Sequence, residues 1–228
     1  MVERHRCLGS GGGSGSGARR RIAERLSIIA PNETSLGVET ERGFAFIGGG
    51  NNNQTAWDYA AVLGGQYNVA SGPSAVAVGG YSNIASTAWS ATTGGIGNVI
   101  EMGEYAAIFG GRDNRVGEVF NDADAPYAVV VGGQNNMALD YYTLVAGGFS
   151  NEAKSEQFAA IFGGYENDAI GFASTVVGGD DGLARAGYSV VLGGFGGETA
   201  SGHDNSVSVG GSGIVTGAAF DVEVGPDL

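Results

Sequence analysis

Apolar residues in this chain come in short clusters, and each cluster ends on paired glycines: YAAVLGG at 59–65, SAVAVGG at 74–80, YAAIFGG at 105–111 and FAAIFGG at 158–164. Within Tyr59-Ala60-Ala61-Val62-Leu63 there is no polar face, because Ala60 and Val62 on one side and Ala61 and Leu63 on the other are all small or apolar. A five-residue stretch of this kind, bounded by turn residues, predicts a strand and not a helix. Alternate residues of a strand point to opposite faces. A strand without a wet face is buried on both sides.

The clusters recur. The first glycine of each pair stands at 48, 64, 79, 94, 110, 132, 147, 163, 178, 193 and 210, at steps of 15 to 17 residues with one exception of 22. Self-similarity at a fixed short period is the mark of a solenoid. Four residues after the first glycine stand Asn52, Asn68, Asn83, Asn98, Asn114, Asn136, Asn151 and Asn167, then Gly182 and Gly197. Asn and Gly share a tolerance of positive φ, so this column predicts a left-handed turn. On that reading Asn136→Val is costly and Asn136→Gly nearly neutral. Small residues such as Ala70, Ala138 and Ala169 follow, and then a second glycine at Gly72, Gly103, Gly171, Gly187 and Gly202 marks another corner.

The predicted fold is therefore all-β: a parallel β-roll, or β-solenoid, of about eleven coils of 15–16 residues. Each coil runs strand, Gly-Gly, Asn corner, shorter strand, second corner. Stacked at the interstrand spacing, eleven coils make a rod of roughly 50 Å. Residues 1–43 read as a short flexible leader and cap, 44–217 as the roll, and 218–228 as a C-terminal cap or tail.

Composition narrows the class. With 44 Gly in 228 residues, nearly a fifth of the chain, an ordinary packed fold is disfavoured. A collagen period is absent, and 43% hydrophobic residues exceed what a disordered chain carries. No run reaches the eighteen apolar residues of a membrane span, so membrane insertion is not expected. The start, MVERHRCLGS, has charge without an apolar stretch behind it, which argues against a cleaved secretory signal. Cys7 is the single cysteine and leaves the redox compartment open. Net charge is −13, with residues 1–43 at +2 and the remainder at −15. A body that acidic repels phosphate and is a poor nucleic-acid binder.

A coil of fifteen residues encloses volume for only one apolar face of its strand. The other face would run along the rod as an apolar stripe, which marks an association surface between chains. SAVAVGGYSNIAS (74–86) and YAAVLGGQYNVASG (59–72) resemble the head repeats of trimeric autotransporter adhesins, and similar repeats occur in tail and collar fibres of bacterial viruses. The resemblance covers about residues 44–217. It implies a left-handed parallel β-roll, three chains side by side, and adhesion as the activity. Those adhesins also carry a signal peptide, a coiled-coil stalk and a membrane barrel, none of which is read in this sequence. The expectation moves accordingly to a homotrimeric fibre or spike on a virion surface, as part of a tail, collar or capsid fibre. It would be held by another virion protein and would attach to a host surface glycan or protein. An extracellular adhesin head on a cell surface is the alternative, with a polysaccharide-degrading fibre behind it.

Candidate sites follow from this frame. GSGGGSGSG at 9–17 is a flexible spacer, and after it come Arg19, Arg20 and Arg21 with Ile22, Leu26 and Ile29 at helical spacing. That segment reads as a basic docking peptide for an acidic partner, or as a tail and cap. Before the glycine pairs stands an aromatic column, Tyr59, Trp89, Tyr105, Tyr127, Tyr142, Phe158 and Tyr188, interrupted by Ser74, Ala173 and Asn205. Its place on the apolar strand favours packing between chains over a platform for sugar rings. The 22-residue step puts an insertion in Val116 to Pro126, where Glu118, Asp122 and Asp124 form a solvated acidic loop rather than a calcium site. This loop, with Trp57 and Trp89, is the candidate receptor contact. With two histidines, one cysteine and no catalytic motif, no enzyme activity and no cofactor are expected.

Overall fold

In the computed structural model, which describes residues 28–29, 44–117, 124–154 and 157–225, each apolar cluster pairs as a strand only at its centre. Ala61–Val62, Ala107–Ile108 and Ala160–Ile161 are two residues long where the sequence predicts five. The reason lies at the first position. Tyr59 has φ 61° and Tyr105 φ 59°, so the backbone is still turning there.

Every strand pairs in parallel with its equivalent one coil on, Ala61 with Val76 and Val62 with Ala77. Among the described residues this gives two sheets. The first runs from Ile28–Ile29 to Val222–Val224, and the second from Gln54–Thr55 to Val215–Thr216. A third ladder, one residue wide, passes through Gln66, Tyr81, Ile96 and Arg112 beside the glycine pairs. The described chain is an all-β parallel solenoid of about eleven coils without a helix.

Pairing runs past the expected limits of the roll. Val222–Val224 adds to Val207–Val209 at one end. At the other, Ile28–Ile29 adds in parallel to Phe46–Ile47. The helical spacing of Ile22, Leu26 and Ile29 is thus overturned at Ile29, which lies in a strand. The edge of the first coil offers unpaired backbone groups, and a β-branched pair satisfies them. The 22-residue step leaves the register intact, since Arg115 and Val116 pair with Met137 and Ala138. The extra residues therefore fall between Gly117 and Asp124, and 118–123 lie outside the described residues.

The interior is narrow and fully packed. Val62, Ile108, Val130, Val145, Ile161, Val176 and Val191 point inward from the first sheet, and Ala70, Ala138, Ala153, Ala169 and Ala184 from the second, all buried. Large against small fills most of a cavity one side chain wide, and only near the middle of the rod does the second sheet also bury large residues, Ile100 and Val116. Towards the C-terminal end the core becomes polar and hydrogen-bonded. Ser189 and Thr199 hydroxyls lie 2.8 Å apart, and the Thr216 hydroxyl donates to Ser206 at 3.2 Å.

Candidate functional site

Two corners of each coil have left-handed backbone, and neither is where the asparagine column predicts it. Of that column only Asn52, at φ 54°, is left-handed; Asn68, Asn83, Asn98, Asn114, Asn136, Asn151, Asn167, Gly182 and Gly197 are not. The left-handed position is one residue earlier, at Tyr67, Ser82, Gly97, Asp113, Asn135, Ser150, Glu166, Asp181 and Gly196. The first coil, with three glycines, shifts the register by one residue, so that Asn53 and not Asn52 is equivalent to Asn68.

The asparagines instead form a buried ladder from Asn53 to Asn167. The Asn68 side-chain amide donates to the Gly64 carbonyl and to the Gly80 carbonyl of the next coil, each at 3.0 Å. Its Oδ1 accepts from the backbone N–H (3.0 Å) and the amide (3.1 Å) of Asn83. The ladder ends where Gly182 donates its N–H to Asn167 Oδ1 at 2.8 Å. Each amide thus satisfies the first-glycine carbonyl of its own coil, as at Gly64, and adds a second donor to a carbonyl of the next coil that already accepts a backbone N–H, as Gly80 does from Gln66. The second glycine of each pair makes room for this. At Gly133, φ is 80°, and a Cβ would collide with the Asn136 amide and the Gly148 carbonyl.

The other left-handed corner carries the aromatic column. Tyr59, Ser74, Trp89, Tyr105, Tyr127, Tyr142, Phe158, Ala173, Tyr188, Asn205 and Phe220 all have φ between 53° and 63°. Left-handed backbone turns the N–H towards the preceding coil: Ser74 donates to Asp58 and Trp89 to Pro73, each at 2.9 Å. Strand residues donate forward, as Ala61 does to Ala75 at 2.9 Å. This corner therefore stitches coils in both directions. Its rings stack on each other. Trp89, Tyr105, Tyr127, Tyr142 and Phe158 follow at centroid spacings of 4.8, 5.0, 4.9 and 5.1 Å, with planes within 8° of parallel. The column lies on the corner before the strand, not on the strand itself. Parallel stacking covers ring faces within the run and turns ring edges outward, so the run is no sugar platform along its length.

The outer faces of the two sheets differ in charge. Outward from the first sheet stand Leu63, Val78, Phe109, Val131, Phe162, Val177 and Leu192, each more than a third exposed. Among the described residues no charged side chain occupies an outward position of that sheet from Ala61 to Val209. The second sheet carries ion pairs on its outer side. Arg115 lies 3.5 Å from Glu101, Lys154 bridges Glu152 (2.9 Å) and Asp168 (3.4 Å), and Arg185 meets Glu198. Such surface pairs contribute little stability, yet they mark the face that solvent wets.

The two candidate receptor tryptophans are not equivalent in the coil. Trp57 and Trp89 are both exposed but stand at different positions of their coils. Asp124 is exposed beside buried Ala125. Glu118 and Asp122 lie outside the described residues, as do Arg19, Arg20, Arg21, Ile22 and Leu26. Among the described residues no group of three or more His, Cys, Asp or Glu is placed to hold a metal ion. Comparison with protein-family models gives no match, and comparison with curated proteins gives none either.

Proposed function

We propose that this chain is a structural attachment fibre. Three copies pack the uncharged outer faces of their first sheets around a common axis, and the rod stands on a virion surface and meets a host cell. The observation that carries this reading is the apolar stripe from Leu63 to Leu192, without a charge along the rod, on a molecule of net charge −13. An apolar stripe of that continuity is an association surface, and closed symmetry hides it on every copy at once. The resemblance of residues 59–86 to adhesin and viral-fibre repeats supports three chains and adhesion as the role. The charged second sheet then faces water. Docking on another virion protein is assigned to the basic segment at Arg19 to Arg21.

Light scattering at micromolar concentration tests the association. The expected mass is three times 22.9 kDa. The double variant Val131→Asp, Phe162→Asp should shift it towards the single chain. A well-folded wild-type monomer would overturn the reading. Labelling intact particles with an antibody to residues 44–217 tests the location, and absence of label from the particle surface would remove the virion from the proposal.

A further inference from the structure

Along one run of the described residues tyrosine stacks in parallel on tyrosine: Tyr105 on Tyr127 (5.0 Å, 3°) and Tyr127 on Tyr142 (4.9 Å, 2°). The backbone produces this arrangement. Tyr105, Tyr127 and Tyr142 have φ 59°, 60° and 58°, and their N–H groups donate to the preceding coil, to Ala88 (3.1 Å), Glu104 (2.9 Å) and Pro126 (3.1 Å). Equivalent corners send equivalent side chains out in the same direction, so each ring repeats its neighbour one coil along the rod. Elsewhere tyrosine has other company. Tyr59 packs tilted on Phe44, Tyr67 and Tyr81 meet edge-on at 72°, Tyr165 stacks on Phe149, and Tyr188 meets Phe172 edge-on. Trp89 and Phe158 close the run at its two ends, and neither is a phenol. The three phenols are 45%, 46% and 47% exposed, open to a one-electron oxidant from solvent.

We propose that Tyr105, Tyr127 and Tyr142 form a site of oxidative modification, joined by dityrosine bonds that weld consecutive coils. The co-reactant is hydrogen peroxide acting through a haem peroxidase. Each phenol gives up one electron and its hydroxyl proton, and becomes a phenoxyl radical with spin on the carbons ortho to oxygen. Radicals on neighbouring coils form one C–C bond between ortho carbons, and each of those carbons then loses its hydrogen as the oxygen regains a proton. Two phenols and one hydrogen peroxide thus give one dityrosine and two waters. Stacking holds the coupling partners side by side, so that the step within a chain outruns the encounter of two chains. A phenol has two ortho carbons, so Tyr127 links to both neighbours. The Tyr105–Tyr127 bond closes a step of 22 residues and the Tyr127–Tyr142 bond one of 15, and closing such loops restricts the unfolded chain as a disulfide does. This modification goes beyond the attachment reading and does not depend on how many copies associate.

Treatment of the full chain with a haem peroxidase and hydrogen peroxide, followed by dityrosine fluorescence and peptide mass spectrometry, tests the site. Cleavage after arginine and lysine places Tyr105 in peptide 43–112, and Tyr127 with Tyr142 in peptide 116–154. The first bond should join these two peptides, and the second should leave 116–154 lighter by two hydrogen atoms. Both products are expected from the band that runs as a single chain on a denaturing gel, in a yield unchanged by tenfold dilution. The coupled chain should melt roughly 5–10 °C higher than the untreated one. Tyr127→Phe keeps a ring in the stack and should lose both bonds, Tyr105→Phe should lose only the joined peptides, and Tyr188→Phe should lose neither. Absence of the joined peptides under conditions that couple free N-acetyltyrosine overturns the site. So does coupling that survives in Tyr127→Phe, coupling found only between chains, or an unchanged melting temperature of the coupled chain.

Discussion

The two left-handed corners of each coil set the same backbone problem and meet it with opposite side chains. After the glycine pairs the left-handed residue is mostly one that tolerates positive φ, such as Asn52, Ser82, Gly97, Asp113, Asn135 or Gly196. Before the strands it is Tyr59, Trp89, Tyr105, Tyr127, Tyr142, Phe158 or Tyr188, where a bulky residue costs of order 1 kcal/mol or more. At the first corner the side chain adapts to the backbone, and stability comes from the neighbouring asparagine ladder. At the second the rings are kept in spite of the backbone, and stacking offsets part of the strain at about 0.5–1.5 kcal/mol per contact. A column that accepts strain to present rings is shaped by what the rings do, in packing on each other and on what meets them.

The comparison can be broken first at the glycine corner, where the largest effect is expected. Gly133→Ala combines positive φ with a collision against the Gly148 carbonyl and should cost on the order of 4 kcal/mol per chain. A melting temperature close to wild type would show that the corner is less constrained than its geometry. Next, Asn136→Ala leaves the Gly132 carbonyl and the Asn151 N–H without their partners and removes one of two donors from the Gly148 carbonyl, for about 3 kcal/mol. Asn136→Gly should be at least as damaging, since Gly adds chain entropy without restoring a hydrogen bond. A neutral Asn136→Gly would restore the turn reading and remove the ladder from the account.

Smaller effects sharpen the second corner. Tyr127→Ala loses stacking with both Tyr105 and Tyr142, about 2 kcal/mol in total. Tyr127→Gly loses the same contacts but relieves the left-handed strain, so it should cost about 1 kcal/mol less than the alanine variant in thermal unfolding. Alanine and glycine melting alike would mean that the strain is absent. The smallest change is expected at Glu166, left-handed at φ 50°, where glycine should gain roughly 0.5 kcal/mol. A loss there would place a side-chain contact at Glu166 above its backbone cost.

Much of the solenoid is legible in the chain because it is written eleven times. Two apolar residues before a glycine pair, a period near fifteen and a step of 22 that keeps the register all follow from local chemistry and survive in three dimensions. The asparagine column was visible and its role was not. Asn and Gly share left-handed tolerance, so one amide position fits either a turn or a ladder. A signal did exist: the column one residue earlier varies among Asn, Tyr, Ser, Gly, Asp and Glu, as an exposed turn position does, whereas Asn68 to Asn167 is uniform, as buried hydrogen bonding requires. The strand length misled because φ at Tyr105 depends on the direction in which its N–H must point, towards Ala88 of the preceding coil.

By itself the sequence determined the period, the all-β class, the two apolar sides of each cluster and the acidic body, since these are properties of residue type and spacing. Only the tertiary structure decided which corner is left-handed, that the asparagines point inward, that ring meets ring in parallel, and that the interruption at Ala173 is filled by Phe172. The physical reason is that the first set is local to one coil. Hydrogen-bond direction and ring stacking belong to pairs of coils fifteen or more residues apart, and no single repeat contains them.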